Sequence, residues 1–145
     1  MSKDVHKLRA NIFVDANVLI GAFRGLKADM TAMDYLQKLP QVKLFTSSLA
    51  VAQMIAACQR KGDAAHRQKL TNATRSILKH FSVISCTGKD IEQSLGMDQP
   101  DIEDNLQYVM GDRMKCTHYI TNNKRDFLFA NATIIPSAKI RLIGA

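Results

Sequence analysis

Four aspartates carry most of the chemical interest of this sequence. Asp15 follows the apolar run Asn11-Ile12-Phe13-Val14, Asp101 and Asp104 are three apart, and Asp126 comes five residues after Thr121. Carboxylates can hold Mg²⁺ or Mn²⁺, which take hard oxygen ligands and keep several of their waters. Asp98, Asp101, Glu103 and Asp104 lie within seven residues, four of the thirteen acids in a chain with twenty Lys and Arg and a net charge of +7. An acidic knot on a basic protein suits a metal held where a phosphate backbone arrives, because Lys and Arg displace counterions from phosphates. Each acid also has a plainer reading: Asp15 and Asp126 as helix caps, Asp101 and Asp104 as partners of a helix N-terminal dipole. Asp15 fits that reading least well. Asn17 is the better-placed cap, and a carboxylate at the end of a buried strand needs a cation or hydrogen-bond donors.

Other chemistries find little support. Neither a GxGxxG nor a GxxxxGK[ST] run occurs, which argues against a phosphate-cradling nucleotide fold. His6, His66, His80 and His118 show no zinc-like pairing and read as surface or strand histidines. Ser47 and Ser48 lack a G-x-S-x-G elbow and read as helix caps. Cys58, Cys86 and Cys116 contain no CxxC pair and read as reduced thiols of a cytoplasmic protein, with metal binding as the alternative. The opening MSKDVHKLRA has no apolar export core, and Leu49 to Cys58, the longest nearly apolar run, is half of a membrane span.

The elements that must position the acids follow from periodicity. Residues 11–14 read as a buried parallel strand, 42–46, 81–86 and 118–121 as further strands, and 133–135 as a fifth. Between them the chain predicts helices over Val18 to Phe23, around Met33, Leu36 and Leu39 up to Pro40, from Ser47 or Ser48 through Arg60, over Ala64 to His80, over Lys89 to Leu95, and from an Asp98 cap onward. A short helix is predicted over Lys124 to Ala130. In the third helix Leu49, Ala52, Ile55 and Ala56 stand at core spacing, and in the sixth Ile102, Leu106, Val109 and Met110 form one stripe. At 145 residues the chain fits a single α/β domain: a three-layer α/β/α sandwich around a parallel sheet of about five strands. In such a sheet, sites form beyond the carboxyl ends of the strands, where all four aspartates could meet.

Four segments together resemble the PIN-domain family of VapC-like ribonucleases and predicted nucleic-acid-binding proteins. Asn-Ile-Phe-Val-Asp15-Ala-Asn17-Val-Leu-Ile is similar to the opening block, a hydrophobic strand ending in D-x-N or D-x-S. Thr46-Ser-Ser-Leu-Ala-Val-Ala-Gln53-Met resembles the serine-led second block. Asp101-Ile-Glu-Asp104-Asn-Leu-Gln107-Tyr resembles D-F-E-D-A-L-Q, and Tyr119-Ile-Thr121-Asn-Asn123-Lys-Arg-Asp126-Phe127 resembles Y-I-V-T-R-N-K-K-D-F. The blocks stand in family order from residue 11 to about residue 136.

The resemblance implies a Mg²⁺- or Mn²⁺-dependent endoribonuclease, often a homodimer and frequently the toxin of a toxin–antitoxin pair held by a small antitoxin protein. It places the catalytic and metal-binding acids at Asp15, Asp104 and Asp126, with Asp101 as helper and Asn17, Thr121 and Asn123 as supporting polar groups. The family's second acid falls on Gln53, and the chain's two glutamates, Glu92 and Glu103, lie outside that helix. An amide oxygen can ligate, but it carries no charge and is no base near neutral pH. One ion is therefore expected to be held firmly, and a second only with the substrate phosphate. RNA contacts are expected from Lys124 and Arg125 beside Asp126 and from Arg75 and Lys79, spaced i, i+4 on the long helix. With three tyrosines, six phenylalanines and no tryptophan, contacts should fall on phosphate rather than on stacked bases. The alternative is a PIN module weakened or inactivated by Gln53 that binds RNA or a protein partner. A phosphohydrolase using Asp15 as nucleophile is disfavoured, since it wants a second aspartate where Asn17 stands.

Overall fold

The apolar run before Asp15 forms β1, Ala10–Val14, and it takes the central place in the sheet. A computed structural model describes residues 10–123 and 131–144. In chain order β1 is followed by α1 (Ala16–Phe23), α2 (Lys27–Lys38), β2 (Val42–Ser47), α3 (Ser48–Cys58), α4 (Ala64–His80) and β3 (Ser82–Ile84). Then come α5 (Gly88–Leu95), α6 (Ile102–Arg113), β4 (His118–Ile120), β5 (Thr133–Ile135) and a 3-10 segment, Ser137–Leu142. The five strands are all parallel, in the order β3-β2-β1-β4-β5. The connections run one way from β1 through β2 to β3 and the other way through β4 to β5. The topological switch point therefore lies between the carboxyl ends of β1 and β4.

Alternation along the strands separates two cores. Ile12, Val14, Leu44, Ile120 and Ile135 face one side and pack with Val18, Leu36, Met54, Leu70 and Ile77 from α1 to α4. Phe13, Phe45, Tyr119 and Ile84 face the other side and meet Met110 of α6. A parallel sheet with helices on both faces must be apolar on both, which is why β1 reads as a continuous hydrophobic run. The result is the three-layer α/β/α sandwich. Among the described residues no helix is long and apolar enough to cross a membrane.

Three local expectations change. In α3 the buried residues are Ala50, Val51, Met54 and Cys58, whereas Ala52 and Ala56 are exposed and Ile55 is 37% exposed. The segment is apolar nearly all the way round, so periodicity could not choose the face; contact with α1 and the sheet does. The helix α6 is capped by Asp101, not Asp98, and its Ile102 is 49% exposed while Asn105 and Gln107 are buried. Finally, α1 is capped by Asp15, whose side chain accepts from Ala16 N, and not by Asn17. The predicted helix over Lys124 to Ala130 lies outside the described residues.

Candidate metal centre at the carboxyl edge of the sheet

Asp15 leaves β1 at the switch point and is 7% exposed. Its backbone N–H continues the sheet by donating to Ile120 O at 3.0 Å. The buried Thr46 hydroxyl on β2 donates to Val14 O at 2.8 Å, fixing the strand end from the other side. Among the described residues, donors on the carboxylate include Ala16 N to Oδ1 at 2.8 Å, Asn17 Nδ2 to Oδ2 at 3.0 Å and Thr121 Oγ1 to Oδ2 at 2.8 Å. They compensate for taking a carboxylate out of water. Asn17 thus orients the Asp15 carboxylate rather than capping the helix, and Asp15 itself caps α1.

Thr121, at the carboxyl end of β4, is fully buried and works three ways. Its hydroxyl donates to Asp15 and accepts from Asn17 Nδ2 at 3.1 Å and from the Asn123 backbone N–H at 3.1 Å. Asn123 therefore joins the group through its main chain. Asn122, between them, was not anticipated from sequence. Its backbone N–H donates to Asn17 Oδ1, and its side chain reaches Asp29.

A second polar group stands at the end of β2. The Ser47 hydroxyl caps α3 by accepting from Ala50 N, and it donates to Gln107 Oε1 at 2.6 Å. The Gln107 amide nitrogen then donates to Gln53 Oε1 at 3.2 Å. The position where the resemblance wants a glutamate is therefore tied to α6, one turn beyond Asp104. Asp104 is partly buried in the first turn of α6, and its backbone N–H donates to Oδ1 of the exposed Asp101 cap at 3.1 Å. One oxygen of Asp101 is in this way taken up by helix capping. The helix itself is held from behind by Arg113, which donates to both oxygens of buried Asp90 on α5 at 3.1 and 2.9 Å. Burial pushes the Asp90 carboxyl up, but hydrogen bonds from Arg113 and Thr87 outweigh it and leave it below the ordinary value.

The structure thus brings Asp15, Asn17, Thr121 and Asn123 together by direct hydrogen bonds, and Gln53 to Gln107 and Ser47. Among the described residues no three His, Cys, Asp or Glu side chains gather closely enough to hold a metal ion. Asp126, Lys124 and Arg125 lie outside the described residues. Asp15, Asp104 and Gln53 each carry oxygen donors of the kind that a hard cation such as Mg²⁺ or Mn²⁺ takes and a soft one does not. Arg75 and Lys79 are exposed on α4. Arg75, with Arg60, Lys61 and Arg67, lines a groove of about 710 Å³ between α3 and α4, floored by Ile55 and Leu70. His118 on β4 is held below its ordinary pKa by burial, and Cys58, Cys86 and Cys116 are free thiols.

Solved structures share this fold. A toxin–antitoxin complex from Klebsiella pneumoniae matches over 87% of this chain and 97% of its own, with a TM-score of 0.64 and 19% identity. VapC20 of Mycobacterium tuberculosis, a sarcin–ricin loop cleaving toxin, matches over 84% and 98%, with a TM-score of 0.62 and 15% identity. VapBC-1 from nontypeable Haemophilus influenzae matches over 89% and 99%, with a TM-score of 0.64 and 14% identity. The chain has the fold of these VapC-type toxins, as the PIN resemblance implied. No family model and no curated protein matches the sequence.

Proposed function

Taking that shared fold as premise, we propose that this chain is a divalent-metal-dependent endoribonuclease of PIN type, the toxin of a toxin–antitoxin pair. RNA is its substrate and a small antitoxin protein its partner, and it acts as a homodimer. The observation that carries the reading is Asp15: a carboxylate buried at the switch point of the sheet, held by Ala16, Asn17 and Thr121. Evolving a cap requires one donor; here two further side chains from separate elements are spent on orientation, as around metal-ligating carboxylates.

In this reading Asp15, Asp104 and Asp126 hold Mg²⁺ or Mn²⁺, with Asp101 as helper. Such a cation, when bound, lowers the pKa of a water and stabilises the charge on the leaving oxygen of a phosphodiester. Hydrolysis at such a site would join the water oxygen to phosphorus and break the ester P–O bond, with the water's proton passing to the leaving oxygen, which departs as an alcohol. Asn17, Thr121 and the Asn123 main chain hold Asp15 in one rotamer. Lys124 and Arg125, beside Asp126 in sequence, and Arg75 and Lys79 on α4 contact phosphates.

Gln53 favours a second reading. Its oxygen accepts from Gln107 and supplies no charge, which suits a PIN module that binds RNA or a protein and turns over slowly or not at all. Titration with Mn²⁺ and incubation with generic RNA separate the two. The first reading expects binding and cleavage in wild type, both lost in Asp15→Asn. Binding without cleavage supports the second, and equal Mn²⁺ binding by wild type and Asp15→Asn overturns the site.

A further inference from the structure

We propose that Asp29 is a positioning residue for the carboxyl edge: through Asn122 it sets the orientation of the Asn17 amide that holds Asp15. The proposal rests on Asp15 being a metal ligand only for its consequence; the orientation itself is a property of the chain alone.

Asp29 lies in the first turn of α2 and is 3% exposed. Leu26 gives that helix no side-chain cap, yet the carboxylate is not turned back to supply one. Its Oδ1 accepts instead from Asn122 Nδ2 at 2.8 Å. A carboxylate only accepts, so Asn122 must present its amide nitrogen here. Its Oδ1 then faces the other way and accepts from Ser137 N at 3.0 Å. With the side chain pinned at both ends, the Asn122 backbone N–H points at Asn17 Oδ1, 3.2 Å away. That contact decides the Asn17 amide in turn: its nitrogen is left to face Asp15 Oδ2 at 3.0 Å and Thr121 Oγ1 at 3.1 Å. One acceptor on α2 thus propagates an orientation through two amides to Asp15. Reversing either amide would set oxygen against oxygen.

Gly21 makes room for the carboxylate. A Cβ at this position would stand 1.7 Å from Asp29 Oδ2. Glycine inside a helix is less favourable than alanine, so α1 carries a local penalty at the place where Asp29 enters. A surface carboxylate serving the α2 dipole would need neither the glycine nor the asparagine.

The experiment uses the full chain. In metal-free protein, ¹⁵N NMR of the Asn17 side-chain amide and the Asn122 backbone amide should shift in Asp29→Ala and return close to wild type in Asp29→Asn, which keeps an oxygen facing Asn122. Mn²⁺ affinity should fall about tenfold in Asp29→Ala and recover in Asp29→Asn, the size expected for losing a partner behind a metal ligand. Asn122→Ala should move the same Asn17 signals, which keeps the test decisive if Asp29→Ala does not fold. Unchanged Asn17 signals in either alanine variant overturn the proposal, as does a loss of stability with wild-type Mn²⁺ affinity in a wild type shown to bind through Asp15. If Mn²⁺ binding proves independent of Asp15, the metal reading fails, and the NMR comparison still decides the relay.

Discussion

Thr121 and Asp15 stand 106 positions apart in the chain, yet the Thr121 hydroxyl donates to Asp15 Oδ2 across 2.8 Å in a buried setting. The pairing of β1 with β4 brings them together, with Val14 opposite Ile120 in the register. Thr121→Val keeps the shape and removes the hydroxyl, leaving Asp15, Asn17 and the Asn123 N–H each short of a partner. Losing a hydrogen bond to a buried charged group costs about 1–3 kcal/mol. Urea unfolding should show that loss with an unchanged slope, and Thr121→Ser should restore most of it. Equal stability of the valine and serine variants would contradict the role assigned to the hydroxyl.

Gln53→Glu should be accepted without rearrangement, because a carboxylate can still receive the Gln107 amide proton that Gln53 Oε1 receives now. It adds a charge to the site that the resemblance places there. Mn²⁺ affinity should rise about tenfold or more, and cleavage of generic RNA should rise with it. A variant that folds normally and binds Mn²⁺ no better than wild type would show that position 53 does not face the metal.

The strands and their parallel sense were legible because apolar runs and their terminal residues are local signals. Asp15 was found that way, although its cap role was assigned to Asn17; the two positions compete for neighbouring N–H groups, and sequence alone does not choose. The buried face of α3 was missed because Ser48–Cys58 is apolar on nearly every side. Asp29 and Asn122 were missed for another reason. Their meaning lies in a contact 93 positions long, and each alone looks like an ordinary polar residue of a helix start or a loop.

Asp90 and Arg113 give an acid-stability prediction. Hydrogen bonds from Arg113 and Thr87 hold the folded Asp90 carboxyl below its ordinary value of 3.8. A depressed folded pKa contributes stability that is fully present above the unfolded value and is lost as pH falls through the folded one. The loss should therefore lie below about pH 3.8, the ordinary value of the unfolded side chain. Asp90→Asn should be less stable at neutral pH and should flatten this part of the acid limb. Wild type and variant losing stability in parallel below that pH would remove Asp90 from the explanation. Because Arg113 is partly exposed, high salt should weaken the difference.

The basic face of α4 can be tested through salt. The chain carries its positive excess unevenly: Arg60, Lys61, Arg67 and Arg75 line the α3–α4 groove, and Lys79 follows Arg75 one turn on. If Arg75 and Lys79 each neutralise one phosphate of single-stranded RNA, the logarithm of the binding constant should fall with log salt by about 0.7 per contact. Arg75→Ala combined with Lys79→Ala should then flatten the slope by roughly 1.4 and weaken oligonucleotides of different sequence by a similar factor, since phosphate contacts carry no base information. Fluorescence anisotropy across a salt series reads both quantities. A slope unchanged in the double variant would place the RNA on another face, and a loss confined to one sequence would mean that α4 reads bases.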